Sequence, residues 1–106
     1  MRRRRVVIAP SAETDLRQIS AWLARETSGR FAARYTRRIV LRTKSLALAG
    51  ERGTLRKING RTFRLIPIMP SISVAFHVDD EKVTIFRIIH GGQDWEAAIV
   101  GMEPDA

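Results

Sequence analysis

No cysteine occurs in the 106 residues. The chain therefore has no disulfide framework, no thiolate nucleophile and no cysteine metal centre, and a reducing compartment such as the cytoplasm is the default expectation. Histidine is almost as scarce, and the two present, His77 and His90, are not placed as zinc ligands. Long apolar runs are missing too. Nothing is long enough to span a membrane, and the short apolar stretch after the N-terminal arginines ends at Pro10, well short of a signal-peptide core. Neither paired carboxylates, a Ser/His/Asp order, a phosphate-cradling glycine motif nor a metal-ligand cluster can be read, so no cofactor is expected. Internal repeats and low-complexity segments are likewise absent, which leaves one domain over residues 1–106.

Acid is scarce in one part of the chain only. Up to Arg64 the sequence holds 17 of its 19 basic residues and 4 of its 11 acids, so this part carries +13 and the remainder −5. A basic half of this kind suits a polyanion or an acidic protein partner; it also suits nothing more than a soluble surface, because net charge governs solubility and encounter rather than fold.

What is present is organised around Lys82 to Trp95, KVTIFRIIHGGQDW. Val83, Ile85, Phe86, Ile88 and Ile89 form a β-branched and aromatic run typical of a strand covered on both faces. His90 closes the run, and Gly91 and Gly92 then release the backbone. Arg87 interrupts it. A guanidinium in an interior strand must snorkel, pair with an acid or line a site; Arg87 is expected to be partly buried with its head group paired or aimed at the concave surface of the sheet, so that Arg87→Met leaves the fold intact and changes activity.

The other elements follow in order. Arg3 to Ala9 reads as an edge or near-edge strand. Pro10 suits a helix first turn, with Ser11 as a capping hydroxyl and Glu13 and Asp15 as favourable negative charge. Ala12, Leu16, Ile19 and Leu23, with Trp22 beside them, give that helix an apolar face over about 11–26. A second helix over about 28–49 buries Ala32, Tyr35, Ile39 and Leu46, with Val40 and Leu41 widening the stripe. Arg30, Arg34, Arg38 and Arg42 follow at steps of four on its other side, either as a solvated face or as a docking face for acidic groups. Residues 50–60 read as a loop ending in the Asn59-Gly60 turn signal. Strands are expected over Arg61 to Ile68, with Pro67 marking an edge or a bulge, and over Ile72 to Val78. A polar turn at residues 79–82 leads into the organising strand, and Trp95, Ala98 and Ile99 suit a short terminal helix. The expected fold is α+β, a helical hairpin packed on a small, mainly antiparallel sheet, in the order β-α-α-β-β-β with a short C-terminal helix.

The stretches APSAETDLRQISAWL, FRLIPI, VAFHVDDEKVTIFRIIHG and HGGQDW, in this order over nearly the whole chain, resemble the RelE/ParE family of toxins from bacterial type II toxin–antitoxin systems. RIIHGGQDW is most like the ParE branch, and Ala9 stands where the family often has Ser or Thr. The resemblance implies a toxin of the plasmid-stabilisation type. Such a toxin inhibits DNA gyrase by protein contact and is neutralised by a cognate ParD-like antitoxin through an acidic amphipathic C-terminal segment. The alternative it implies is a ribosome-dependent mRNA endoribonuclease of RelE type.

Ribonuclease chemistry needs a general acid or base and clustered cations. Arg64, Arg87 and His90, with Lys57 and Arg61, are the set able to supply them, although His90 also suits a residue that orients the Gly-Gly turn. The tyrosine usual near the end of the nuclease branch is missing, since the only tyrosine is Tyr35. The expected partner-binding surface combines Leu16, Ile19, Leu23, Tyr35 and Ile39 with Arg30, Arg34, Arg38 and Arg42. A plain nucleic-acid-binding module is disfavoured at this point because exposed aromatics interleaved with basic residues are not evident.

Overall fold

The computed structural model describes residues 3–48, 50–58 and 60–91. Its elements are β1 (Arg5–Ile8), α1 (Pro10–Glu26), α2 (Gly29–Lys44), a single 3-10 turn (Ser45–Ala47), β2 (Thr54–Ile58), β3 (Arg61–Met69), β4 (Ile72–Val78) and β5 (Lys82–His90). The five strands form one sheet in the order β1-β5-β4-β3-β2, with β1 parallel to β5 and the other neighbours antiparallel. The two helices pack as a hairpin on one face, as the segregated helix and strand patterns require.

The organising strand is interior. In β5, Val83, Ile85, Ile88 and Ile89 are all at most 5% exposed. Val83, Ile85 and Ile88 join Ile19, Ile39, Leu46, Val74 and Phe76 in the core beneath the helices. Ile89 and Phe86 belong to a second cluster with Phe63 and Ala75. The register shifts between Ala75 and Phe76 opposite β5, and again between Pro67 and Met69, where the proline had marked an edge or a bulge.

The structure corrects several expectations. Residues 50–60 are not simply a loop, because Thr54–Ile58 adds a fourth strand to the meander. The strand was missed because its residues, Thr-Leu-Arg-Lys-Ile, are exposed but for the half-buried Ile58 and carry no clear alternation. The second helix ends at Lys44, and the 3-10 turn carries Leu46 into the core. Leu41 is 60% exposed and does not widen the buried stripe. Ser11 does not cap α1: Ala9 is the cap residue and makes no side-chain bond. The proposed C-terminal helix, with Gly92, lies outside the described residues.

Gly53, just before β2, has φ +93, and a Cβ there would stand 2.8 Å from the carbonyl oxygen of Leu65 on β3. Both the backbone conformation and the close approach demand glycine. Gly53→Ala is expected to lower the unfolding free energy by at least about 1 kcal/mol, read as a reduced urea midpoint; an unchanged midpoint contradicts this role.

The β4–β5 turn is tied by Asp79, whose carboxylate accepts the N–H groups of Glu81 and Lys82 at 2.8 Å each. These two bonds, helped by the charges of Lys82 and His77, hold its pKa below the ordinary 3.8. A depressed carboxylate contributes stability that is present above its unfolded pKa and lost as pH falls through the folded one. The stability difference between the wild type and Asp79→Ala should therefore narrow as pH drops below 3.8. A difference that stays constant in acid would refute it.

Candidate functional site

The chain leaves β1 at Ala9, whose N–H makes the last parallel bond, to the Ile85 carbonyl, 2.9 Å. Beyond that point β5 continues to His90 with no strand beside it on this edge among the described residues, and its backbone groups need other partners. Helix α1 supplies them. The Ser11 hydroxyl donates to the Phe86 carbonyl at 2.6 Å, and the Asp15 carboxylate accepts the Ile88 N–H at 2.8 Å. The same carboxylate receives Nε and a terminal nitrogen of Arg87, each at 2.8 Å. Asp15 is only 6% exposed, and its hydrogen bond raises the Arg87 pKa. Of the three readings open to Arg87, pairing with an acid is the one realised. Asp15 was read as helix-terminal charge. Its place three residues after Ala12 and four before Ile19, on the apolar face, was the available sign that it points inward.

The five residues considered for ribonuclease chemistry are not brought together. Arg64 donates to the Glu51 carbonyl at 2.8 Å, bracing the loop before β2. Arg61 lies over the rings of Phe63 and Phe86, 5.5 and 5.6 Å from their centroids. Lys57 is exposed on β2, opposite Thr62. His90 packs against the Trp22 ring, with centroids 5.7 Å apart. Arg64 is opposite Phe76, which faces Ile85, so His90 lies five residues farther along β5, roughly 16 Å at strand rise. The histidine that shares a cavity with a candidate arginine is His77, beside Arg61, Phe63 and Phe86 in a space of about 270 Å³.

The helical hairpin offers a different kind of site. Phe31, Arg34, Tyr35, Arg37 and Arg38 line a groove of about 540 Å³ on α2. Phe31 is 40% exposed and stacks on Tyr35 at 5.8 Å. The exposed Phe31, stacked on the half-buried Tyr35, thus stands among three guanidinium groups, which removes the ground on which nucleic-acid binding was disfavoured. Arg37 and Phe31 were missed; the i, i+4 aromatic spacing of Phe31 and Tyr35 was the signal. Arg30 is exposed on the same helix, whereas Arg42 leans to the Ile68 carbonyl at 3.5 Å.

A second cavity, of about 290 Å³, is bounded by Ile19, Trp22, Leu23, Tyr35, Pro70 and His90 among others. Tyr35 borders both spaces, and Trp22 is 43% exposed. Of the apolar residues expected at a partner surface, Ile39 is fully buried and belongs to the core instead. Ile19 and Leu23 reach a partner only through this cavity, and Leu16 is half-buried against the core. Among the described residues no group of three or more His, Asp or Glu is placed to hold a metal ion, and no helix is long and apolar enough to cross a membrane.

Residues 6–95 match the family model described as the ParE toxin of the type II toxin–antitoxin system parDE. Among solved structures the chain is similar to one described as the chromosomal ParDE TA system from P. aeruginosa. The TM-score is 0.71 at 20% identity over 82% of this chain and 95% of the other. Comparison with curated proteins gave no match.

Arg87→Met would strand a buried carboxylate, which weighs against the expectation that this variant leaves the fold intact. Arg87→Met and Asp15→Asn are each expected to cost about 2–4 kcal/mol of stability, against less than about 1 kcal/mol for His90→Ala. Denaturant titration of the three variants decides it, and equal small losses would contradict the assignment.

Proposed function

We propose that this chain, which belongs to the ParE toxin family of type II toxin–antitoxin systems, acts by binding DNA gyrase and halting supercoiling through protein contact. On this reading it works in the cytoplasm and is kept silent by a cognate ParD-like antitoxin. What supports contact over cleavage is the dispersal of the residues that a nuclease would cluster. Arg87 is paired to Asp15 and Arg64 to a loop carbonyl, and His90 lies against Trp22 away from both. General acid–base catalysis requires the proton carrier and the cations within hydrogen-bond reach of one phosphate.

The α2 groove is where the antitoxin docks. An amphipathic acidic helix places carboxylates on Arg34, Arg37 and Arg38 and apolar side chains on Phe31 and Tyr35. Arg30 extends the same charge. Trp22, Leu23 and Ile19 offer a neighbouring recess for an apolar anchor.

The reading is tested by adding purified protein to a gyrase supercoiling assay and, separately, to translating ribosomes carrying labelled mRNA. Supercoiling should stop while the message stays whole. Codon-positioned cuts beside undisturbed supercoiling would overturn gyrase in favour of the RelE-type activity.

The docking face is tested by reversing Arg34 and Arg38 to glutamate, which should weaken antitoxin binding about tenfold or more. Wild-type affinity should also fall with salt without vanishing, since the apolar contacts are less screened. A complex indifferent to both changes would rule out this face.

A further inference from the structure

None of the five strands contains an aspartate or a glutamate. Alternation and register then decide on which face of the sheet each strand cation stands. The helices cover the face that carries Val74, Phe76, Val83 and Ile85. The other face carries Phe63, Ala75 and Phe86, so Arg61 on β3 and His77 on β4, each two residues from a member of that cluster, share it. Arg56 faces Phe63 from β2 and joins them. Lys82 and Arg5 face each other across β5 and β1, and their neighbours Val83 and Val6 both pack beneath the helices, which leaves these two cations on the other face as well. In strand order the row reads Arg5, Lys82, His77, Arg61, Arg56, one from each strand, over roughly 19 Å at the usual strand spacing. The acids of the β4–β5 turn lie at one corner of it, and the Asp79 carboxylate there is engaged by the N–H groups of Glu81 and Lys82.

What this face lacks selects its ligand. Phe63 and Phe86 are only 3% and 5% exposed, and the Arg61 guanidinium lies over both rings, so neither offers a face on which an unpaired base could stack. Exposed apolar anchors are elsewhere. Trp22, Phe31 and Leu41 are on the helices, Leu48 follows the 3-10 turn, and Leu55 alternates with Arg56 onto the opposite face. A protein partner is held chiefly by such anchors, as the α2 groove provides with Phe31, whereas phosphates are held by charge and N–H donors alone. The cationic row has the second character.

We infer that the face of the sheet away from the helices binds the phosphate backbone of duplex DNA, without regard to sequence, as a surface separate from the α2 groove. Arg5, Arg56, Arg61 and Lys82 supply the charge, and the His77 ring, which shares a cavity with Arg61, supplies a further N–H donor. The ligand is DNA alone, so the inference stands or falls independently of the gyrase reading.

The test is fluorescence anisotropy of a short labelled duplex titrated with the full chain at several salt concentrations. The logarithm of the association constant should fall with that of the salt concentration at a slope of about −3 to −4, as expected for four neutralised phosphates. Arg5→Ala combined with Arg56→Ala, both exposed positions at opposite ends of the row, should flatten that slope by about two and weaken binding roughly tenfold or more. Arg34→Ala combined with Arg38→Ala, on α2, should change binding less than about threefold. A duplex of unrelated sequence should bind equally well, and an unpaired strand of the same length no more tightly. Amide shifts of the isotope-labelled wild type on adding the duplex, expected at Arg5, Arg56, His77 and Lys82 and not on α2, decide the same point without a substitution. Binding lost in the α2 variant but kept in the sheet variant, shifts confined to α2, tighter binding of the unpaired strand, an association insensitive to salt, or no association at low salt would each overturn the inference.

Discussion

The carboxylate of Asp15 holds the two layers of this protein in register. It accepts two bonds from Arg87 and one from the Ile88 N–H, all at 2.8 Å, in a setting only 6% exposed to water. A lone carboxylate there would be costly, and so would an unpaired backbone N–H on an abandoned strand edge. Each cost is removed by the other group, and the geometry that satisfies both also fixes where α1 lies along β5. The Ser11 hydroxyl on the Phe86 carbonyl makes a second attachment one helical turn earlier. The orientation of the hairpin, and hence of the α2 groove, depends on this junction.

That arrangement bears directly on what the protein can do. Arginine is abundant, but much of it is structural. Arg87 completes the junction, Arg64 braces the loop before β2, and Arg4 joins the start of the sheet to Glu51 and to the Asp79 carbonyl. The cations exposed on α2, among them Arg34, Arg37 and Arg38, stand beside an aromatic pair in a shallow groove with no histidine or carboxylate among its lining residues. Such a surface has the charge and the apolar fit of the docking face proposed above. The chain belongs to the ParE toxin family and shares its fold with a chain of a ParDE system.

Much of the fold was legible because its strongest signals are periodic. The steps of four and three through Ala12, Leu16, Ile19 and Leu23, the alternation of β4 and the apolar run of β5 each lead to the element observed. The β3 irregularity at Pro67 followed from the missing N–H of proline. What escaped was aperiodic or reciprocal. β2 has an exposed sequence, and its pairing with β3 is carried by backbone and by Gly53 rather than by a buried face. The Asp15–Arg87 pair joins residues on different elements, and either alone admits several readings. The candidate site was less legible still. Clustering of Lys57, Arg61, Arg64, Arg87 and His90 was a statement about three dimensions, and the register spreads these residues over both faces and both ends of the sheet. The α2 face was visible as a row of arginines. Its aromatic content, in Phe31, was not, because an aromatic at the start of an amphipathic helix reads equally well as core.

Among the described residues one edge of the sheet is sealed and the other is open, and native-state hydrogen exchange of the unmodified protein tests this most directly. Among the described residues the Ile88 amide has no neighbouring strand on its side of β5, yet the Asp15 carboxylate should protect it so well that it exchanges only through global unfolding. The amides of Leu55 and Lys57 on β2 should exchange through local opening, orders of magnitude faster. An Ile88 amide that exchanges as readily as those two would contradict the account.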